Sequence, residues 1–373
     1  MAKRRNKPPS ATTADRLKRC RTAMRKAKIA RYLVTNRRDA YYLTGFTGED
    51  SAVLITPRQV HVISDGRFDQ VIDEECPWAK KWLRRGLLID EIGKVCVQIG
   101  LGSVAVQADH LSVEDHATLK KHKPRIKLTI APPICATMRR IKDRTELSKL
   151  NKALRIAEDA FQATLASIRI GQTELEMAAR LEYEMKKRGA SQPAFPTICA
   201  EGANAALPHA LPGTRRVKPG SAVLFDWGAR SEFYCSDLTR MVFIGSIPPK
   251  VGEWYAVVLE AQQIAIDAIR PGARMCDVDS AARDHIAAAG YGKAFMHGLG
   301  HGLGLDVHEP PSLSWRSNEP LVAGMVVTVE PGIYVPGRGG VRIEDDVLVT
   351  PTGRRVLSRL AKDIGSAVIK ARR

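Results

Sequence analysis

A stripe of apolar residues at spacings of three and four follows Asp143 and predicts a long amphipathic helix. Its members are Leu147, Leu150, Leu154, Ala157, Phe161, Leu165 and Ile168. Asp143 and Glu146 have the spacing of a capping box, so we place the start of the helix there. A second helix is predicted over residues 174–188, with Thr173 and Glu176 as its cap.

The same order of elements recurs further along the chain. Helical patterns over residues 251–269 and 277–289 form a second pair, and IRIG (168–171) and IRPG (269–272) occupy the same joint in the two pairs. Each pair is followed by a histidine and then by two strand-like segments around a turn. We interpret this as an internal duplication of two helices plus a hairpin. The two hairpins would meet in one sheet that the helices cover on one face.

Residues 13–140 show a different pattern, in which short apolar runs are separated by helical stretches. They predict a small α/β domain that begins with a basic helix over about residues 14–28. The runs SAVLIT (51–56) and QVHVIS (59–64) lie close together and predict a hairpin. Further strands are predicted at residues 29–35, 104–107 and 127–131.

The composition fits a soluble globular protein with a sizeable core. The 373 residues are 44% hydrophobic and 26% charged. No apolar run is long enough for a membrane-spanning helix, and no apolar stretch follows the basic N-terminus as in a secretory signal. The seven cysteines are odd in number, widely spaced and without a CxxC pair, which predicts reduced thiols in the cytoplasm and no thiolate zinc site.

The net charge of +18 is concentrated at the N-terminus. Residues 1–30 hold eleven Lys and Arg against one acid, Asp15, and so carry +10 of it. Residues 1–12 predict a disordered, solvated basic tail ahead of the α/β domain (13–140) and the duplicated domain (141–373). Two other interpretations of the tail stay open: a contact with nucleic acid or another polyanion, and an organelle transit peptide.

Carboxylates interrupt the apolar pattern of both predicted hairpins. In the first hairpin, Asp226 and Asp237 lie in strand-like surroundings, where a charge is rarely buried unless it is paired or binds a metal. A turn near Ser231 and Glu232 would place the two carboxylates directly opposite each other. Facing like charges destabilise a sheet, so we expect a positive group between them.

The second hairpin repeats this arrangement with Glu330 and Glu344. Their midpoint is Gly337, within the turn sequence PGRGG. Each carboxylate taken alone is also compatible with a structural hydrogen bond. Four of them in one cavity would raise one another's pKa values, and two divalent cations would balance their charge. We therefore predict a metal site between the two hairpins.

Between the hairpins lies HGLGHGLGLDVHE (297–309), with histidines at positions 297, 301 and 308. The glycines allow the backbone to approach a ligand closely. The spacing differs from the HExxH motif of helical zinc peptidases, since Gly298 stands where the glutamate would be. One histidine that joins the four carboxylates fits this segment better.

At these motifs the chain resembles the pita-bread peptidases, the family of methionine aminopeptidase, aminopeptidase P and prolidase. The matching segments are FDWGA, SDLTR, HGLGHGLGLDVHE, VEPGIY and GVRIED. YLTGFTG (42–48) and RRIKDRTEL (139–147) resemble the N-terminal domain and linker of the proline-specific branch. The resemblance implies an α+β fold, in which a pseudo-twofold pita-bread domain with a curved antiparallel sheet follows an α/β domain of the creatinase type.

The resemblance also implies a role for each residue of the predicted metal site. Asp226 would bind one metal ion. His301 and Glu330 would bind the other. Asp237 and Glu344 would bridge the two ions. An oxygen-rich set of ligands favours Mn²⁺, with Co²⁺ or Zn²⁺ as alternatives.

Further roles are implied on the substrate side. His209 would stabilise the tetrahedral intermediate, and His308 would contact the substrate near the scissile bond. His297 would line the pocket for proline, and Arg342 would lie near the substrate. Glu330 is the candidate proton acceptor as well as a metal ligand.

The implied activity is metal-dependent hydrolysis of the Xaa-Pro bond, at the N-terminus of peptides or in dipeptides, by a cytoplasmic homodimer without a membrane segment. Two alternatives stay open. One is a pita-bread aminopeptidase without proline preference. The other is a non-catalytic relative that binds RNA or another polyanion through the basic tail.

Overall fold

The computed structural model describes residues 7–122 and 126–370. The chain folds into two compact units, residues 1–138 and 139–373, whereas the sequence placed this boundary between residues 140 and 141. None of the described helices is long and apolar enough to cross a membrane.

The first described helix begins inside the predicted basic tail. It spans Ala11–Lys26 rather than residues 14–28. Ser10 caps it, since its hydroxyl oxygen accepts a hydrogen bond from the Thr13 amide at 3.1 Å. The prediction of disorder for residues 1–6 falls outside the described residues.

The first unit contains a six-stranded mixed sheet. Its strands are β1 (Tyr32–Val34), β2 (Ala52–Ile55), β3 (Val60–Asp65), β4 (Lys80–Arg84), β5 (Ser103–Val106) and β6 (Lys127–Ile130). The helices in its part of the chain are α1 (Ala11–Lys26), α2 (Arg37–Thr44), α3 (Asp69–Glu75), α4 (Leu88–Gln98), α5 (Val113–Lys121) and α6 (Ile134–Arg139), which ends at the boundary. The strand order is β4-β3-β2-β1-β5-β6. The antiparallel pairing of β2 with β3 confirms the predicted hairpin.

The described residues of the second unit form four α-helices and several small sheets. The helices are α7 (Arg144–Leu165), α8 (Glu174–Lys187), α9 (Pro249–Ala268) and α10 (Met275–Ala288). The strands are β7 (Gln192–Pro193), β8 (Ile198–Glu201), β9 (Ala222–Trp227), β10 (Ala229–Ser231), β11 (Tyr234–Cys235), β12 (Leu238–Ile244), β13 (Gly300–Gly302), β14 (Glu309–Leu313), β15 (Val326–Val329), β16 (Gly332–Val335), β17 (Gly339–Arg342), β18 (Asp345–Thr350), β19 (Gly353–Val356) and β20 (Val368–Ile369). The two largest sheets have the orders β20-β12-β9-β8 and β14-β13-β15-β18-β19.

Each half of the predicted duplication forms a helix pair followed by a hairpin. Both predicted capping boxes are present, with Asp143 and Glu146 at the start of α7 and Thr173 and Glu176 at the start of α8. In the second pair, α9 begins with Pro249 in its first turn, where the missing amide hydrogen costs nothing. The helix-helix-hairpin prediction is therefore confirmed in both halves, but the two hairpins belong to separate sheets and not to the one sheet that was predicted.

The first hairpin has a different register from the one predicted. Asp226 lies opposite Thr239, not opposite Asp237. The turn falls at Glu232 and Phe233, whose φ angles of 48° and 72° are left-handed without glycine at either position. The predicted turn lay one residue earlier, so Asp237 sits two positions from the residue that faces Asp226.

The second hairpin has the predicted register. Val329 pairs with Asp345 and Gly332 pairs with Arg342, so the residues between them, Glu330 and Glu344, face each other. The turn centres on Gly337, whose φ of 73° requires a residue tolerant of the left-handed region.

A single apolar core joins the elements that carry these hairpins. Trp254 and Val258 of α9 and Ile286 of α10 pack in one cluster with Leu224 of β9 and Val327 of β15, and all five are at most 2% exposed. Burial of each such side chain contributes about 1.5–3 kcal/mol relative to its exposure. The core therefore holds strands of both hairpins on the same pair of helices.

Candidate metal and substrate site

All nine side chains proposed from the sequence line one cavity of about 510 Å³ in the second unit. They are His209, Asp226, Asp237, His297, His301, His308, Glu330, Arg342 and Glu344. The five proposed metal ligands come from both hairpins and from β13 between them. Only the tertiary fold brings these five together, since they span more than a hundred residues of sequence.

Potential ligand atoms converge in three overlapping groups. One group consists of Asp226, Asp237 and Glu344, and another of His301, Glu330 and Glu344; within each, the ligand atoms lie within 4.8 Å of one another. Glu344 belongs to both groups. The third group joins Asp237 and His301 to His308, which is far more exposed than the buried carboxylates. The carboxylate of Glu344 therefore lies between two neighbouring sets of potential metal ligands.

The carboxylates are buried close to one another without enough positive charge from the protein. Burial, followed by repulsion from Glu344 and Asp226, raises the pKa of Asp237 well above its ordinary range. Burial, followed by repulsion from Glu330 and Asp226, raises the pKa of Glu344 in the same way. Burial also raises the pKa of Asp226, although Arg342 opposes the shift.

One oxygen of the cluster has no hydrogen-bond donor. Asp226 Oδ1 is buried and has no partner among the described residues. An unpartnered buried carboxylate oxygen is costly unless a cation reaches it. Together with the four clustered carboxylates and one imidazole, this oxygen fits divalent metal ions that prefer oxygen and nitrogen donors.

His301 is oriented for metal binding by its backbone contacts. Its Nδ1 lies 3.1 Å from the Gly302 carbonyl oxygen, so an Nδ1 proton would leave Nε2 facing the carboxylates. Nε2 lies 3.2 Å from Glu330 Oε1 and 3.7 Å from Asp237 Oδ2. Burial opposes ionisation of Glu330, but the hydrogen bond and charge of His301 outweigh it and lower the pKa of Glu330 to about 2.

Arg342 contacts the carboxylate cluster through Asp226. Its guanidinium is 3% exposed and forms an ion pair with Asp226. Its Nε donates to Thr239 Oγ1 at 3.0 Å, and one terminal nitrogen donates to the Tyr334 hydroxyl at 2.8 Å. Thr239 in turn donates to Glu344 Oε2 at 2.8 Å. These contacts fix the position of Asp226, in the first hairpin, relative to Glu344, in the second.

Thr239 and Tyr334 are site residues that the sequence did not indicate. Both lie within the motifs SDLTR and VEPGIY, but their positions gave no reason to prefer them to neighbouring residues. Their spacing from the proposed ligands was the available signal. Thr239 follows Asp237 by two residues, which is the spacing at which side chains of an extended chain point to the same side.

A buried glutamate supports the loop that carries His209. Glu174, the first residue of α8, is completely buried. Its carboxylate accepts hydrogen bonds from the Glu201 amide (2.6 Å), the Asn204 side chain (3.0 Å) and the Gly213 amide (2.8 Å). These donors lie on both sides of His209 in the sequence, so Glu174 ties the two ends of its loop to one helix.

A buried aspartate supports the loop that carries His297 in the second half. Asp279 of α10 is completely buried and accepts from the Leu299 amide at 3.0 Å. It also pairs with Arg283, which donates to the carbonyl oxygens of Phe295 (3.0 Å) and His297 (2.7 Å). No sequence motif indicated either residue: Glu174 lies in a helix's first turn, which is often acidic for electrostatic reasons alone, and Asp279 lies one turn further along its helix.

Comparison with known families places both units. The model of metallopeptidase family M24 matches residues 148–351. The model of the creatinase/prolidase N-terminal domain matches residues 16–141. The first match contains all nine proposed residues of the cavity, and the second covers most of the first unit.

Relatives are similar along nearly the whole chain. An Xaa-Pro dipeptidase of Pyrococcus horikoshii is 35% identical over 94% of this chain and 98% of its own length. The solved structure of an Xaa-Pro dipeptidase from Bacillus anthracis has a TM-score of 0.89 at 36% identity and covers 94% and 99% of the two chains. The structure of an X-Pro aminopeptidase from Thermotoga maritima has a TM-score of 0.87 at 35% identity and covers 94% and 100%.

Proposed function

The chain belongs to metallopeptidase family M24 and has the creatinase/prolidase N-terminal domain, and we propose that it hydrolyses the peptide bond between an N-terminal residue and a following proline. The observation that carries the proposal is the convergence of the five proposed ligands and four substrate-side residues on one cavity. The names of the similar Xaa-Pro dipeptidases and X-Pro aminopeptidase support the proposal that the bond before proline is the one cleaved.

We propose that the cavity binds two divalent metal ions. Asp226 would hold one, His301 and Glu330 the other, and Asp237 and Glu344 would bridge them. The position of Glu344 in two groups of ligand atoms supports its bridging role. The preponderance of carboxylate oxygens supports Mn²⁺ over Zn²⁺, with Co²⁺ as a further candidate. When bound, such a pair of ions supplies Lewis acidity and lowers the pKa of a water molecule toward neutrality.

The protein's own side chains would position the substrate and transfer the proton. Glu330 would accept a proton from the attacking water and pass it to the proline nitrogen. His209 would donate a hydrogen bond to the oxyanion, an interaction of about 3–4 kcal/mol at one donor in comparable sites. His308 would contact the substrate at the scissile bond. His297, held by the Tyr334 hydroxyl at 2.8 Å, would form the wall of the proline pocket.

We further propose a cytoplasmic homodimer. The resemblance to the proline-specific branch of the family supports the dimer. All seven cysteines lie among the described residues, none forms a disulfide, and six of them are buried, which supports a reducing compartment.

The test is a comparison of peptides after addition of Mn²⁺. We expect the better of Ala-Pro and Ala-Pro-Ala to be hydrolysed with a kcat/KM at least about tenfold above that of Ala-Ala-Ala. Equal rates for all three would instead indicate an aminopeptidase without proline preference. Failure to hydrolyse any of them, together with a salt-dependent RNA gel shift that is lost on removal of residues 1–12, would indicate a polyanion-binding relative.

A further inference from the structure

We propose that the natural substrates carry a further residue after the proline and that free Xaa-Pro dipeptides are poor substrates. This inference rests on the proposed function and concerns only the part of the substrate beyond the proline. A dipeptide presents a negative carboxylate directly on the proline ring, whereas a longer peptide presents a neutral amide there. A buried carboxylate needs a cation or several hydrogen-bond donors, and an amide needs far less.

The cavity has no arginine or lysine that is available for a substrate carboxylate. Among the described residues that line it, Arg342 is the only one of these two types. Each of its nitrogens already donates, Nε to Thr239 and the terminal nitrogens to Tyr334 and to Asp226. The ion pair with Asp226 also neutralises its charge. Arg342 is 3% exposed, so a substrate carboxylate that approached it would compete with the contacts that hold the ligand cluster.

The histidines do not replace the missing cation. His297 contacts the Tyr334 hydroxyl through Nε2 and the Gly298 carbonyl oxygen through Nδ1, both at 2.8 Å, so neither of its nitrogens is free. His301 faces the carboxylates of the metal site. His209 and His308 are the groups proposed for the reacting carbonyl, on the N-terminal side of proline.

The remaining wall is mostly apolar and continues outward; Ser312 is its one polar side chain among the described residues, and it carries no charge. Phe195, Pro196, Ile198 and Leu211 line the cavity, and Leu211 is 78% exposed at its edge. Met296, directly before His297, is 56% exposed. This surface can contact the residues that follow proline in a longer peptide. It offers no positive charge to the carboxylate of a substrate that ends at proline. The arrangement therefore favours a neutral continuation of the substrate.

Three substrates that differ by one feature at a time test this inference at a single Mn²⁺ concentration. Ala-Pro and Ala-Pro-NH₂ differ only in the charge at the C-terminus, and Ala-Pro-NH₂ and Ala-Pro-Ala-NH₂ differ only in length. We expect kcat/KM for Ala-Pro to be at least about tenfold below that of both others, mainly through KM, because the charge is desolvated on binding. Equal values for Ala-Pro and Ala-Pro-NH₂ would overturn the inference. Failure of all three would overturn the proposed function itself.

A substitution at the edge of the cavity provides a second test. Leu211→Lys introduces a cation next to the substrate path and should reduce the preference for Ala-Pro-NH₂ over Ala-Pro several-fold. Leu211→Met keeps the size and lacks the charge, so it should retain the wild-type preference. If both variants kept the same preference as the wild type, the electrostatic basis of the inference would be wrong.

Discussion

The two halves of the second unit supply equivalent carboxylate pairs from hairpins that are built differently. In the second half, Glu330 and Glu344 face each other across a turn centred on glycine. In the first half, Asp226 faces Thr239 of β12, and Asp237 directly precedes β12. A duplicated architecture therefore does not require a duplicated register. The carboxylates of both halves nevertheless line the same cavity.

The halves also differ in how they hold the loops on the substrate side. In the first half, the carboxylate of Glu174 alone gathers its donors around the His209 loop. In the second half, Asp279 binds one amide directly and reaches His297 through the guanidinium of Arg283. In each half, a fully buried acidic residue lies in the first two turns of the second helix, α8 or α10. We call Glu174 and Asp279 the buried supports.

The largest expected effect comes from removing a carboxylate that is proposed to bridge the metal ions, in either half. Asp237→Ala and Glu344→Gln should each lower kcat by at least about a thousandfold, since activation of water depends on the metal pair. Asp226→Asn should leave more metal bound, because Asp226 is proposed to hold one ion only. Emission spectroscopy on the purified variants measures metal per chain. Two ions retained in Asp237→Ala would refute its bridging role, and the exposed Glu319→Gln serves as a control.

A smaller effect is expected from the buried supports, and it should differ between the halves. Glu174→Gln should lower kcat about 10- to 100-fold, because His209 would act on the tetrahedral intermediate. Asp279→Asn should mainly raise KM, because His297 would contact the bound proline. Metal content should stay at the wild-type level in both. If the variants changed only the melting temperature, these residues would be structural, and Asp277→Asn on the exposed surface of α10 controls for loss of an acid.

Thr239 tests the link between the halves. Thr239→Val removes the hydroxyl that donates to Glu344 and accepts from Arg342, and we expect kcat/KM to fall about tenfold. Thr239→Ser keeps the hydroxyl and should restore most of the activity. Steady-state kinetics on Ala-Pro-Ala distinguish the two variants. Equal losses in both would show that the methyl group, not the hydrogen bonds, determines the effect.

The smallest effect concerns pH and the metal-free protein. The pKa values of Asp237 and Glu344 are raised by burial and by neighbouring carboxylates, whereas His301 holds the pKa of Glu330 at about 2. A raised carboxyl pKa means that the folded metal-free chain binds more protons than the unfolded chain, so its stability should rise as the pH falls from 8 toward 5.

Metal must displace those protons, so the gain in melting temperature on addition of Mn²⁺ should shrink over the same pH range. Thermal unfolding with Mn²⁺ and with chelator at several pH values measures the gain. A gain that is constant with pH would contradict the proposed proton release from Asp237 and Glu344.

Local patterns in the sequence were sufficient for the helices and for the second hairpin. The stripe after Asp143 and the two capping boxes predict α7 and α8, since helix periodicity and cap chemistry depend only on residues a few positions apart. Gly337 marks the turn of the second hairpin and so determines which residues face each other. The first hairpin gave no such signal, because its left-handed turn residues are Glu232 and Phe233.

The sequence by itself determined which residue types were present for the metal site, and the resemblance to the family assigned them roles. The tertiary structure decided what surrounds them. Each nitrogen of Arg342 donates a hydrogen bond, Thr239 connects Arg342 to Glu344, and the buried supports hold two loops. These contacts join residues far apart in the chain, and their strength comes from burial, which removes the competing water. Such contacts leave no periodic or short-range pattern in a sequence, so only the folded chain reveals them.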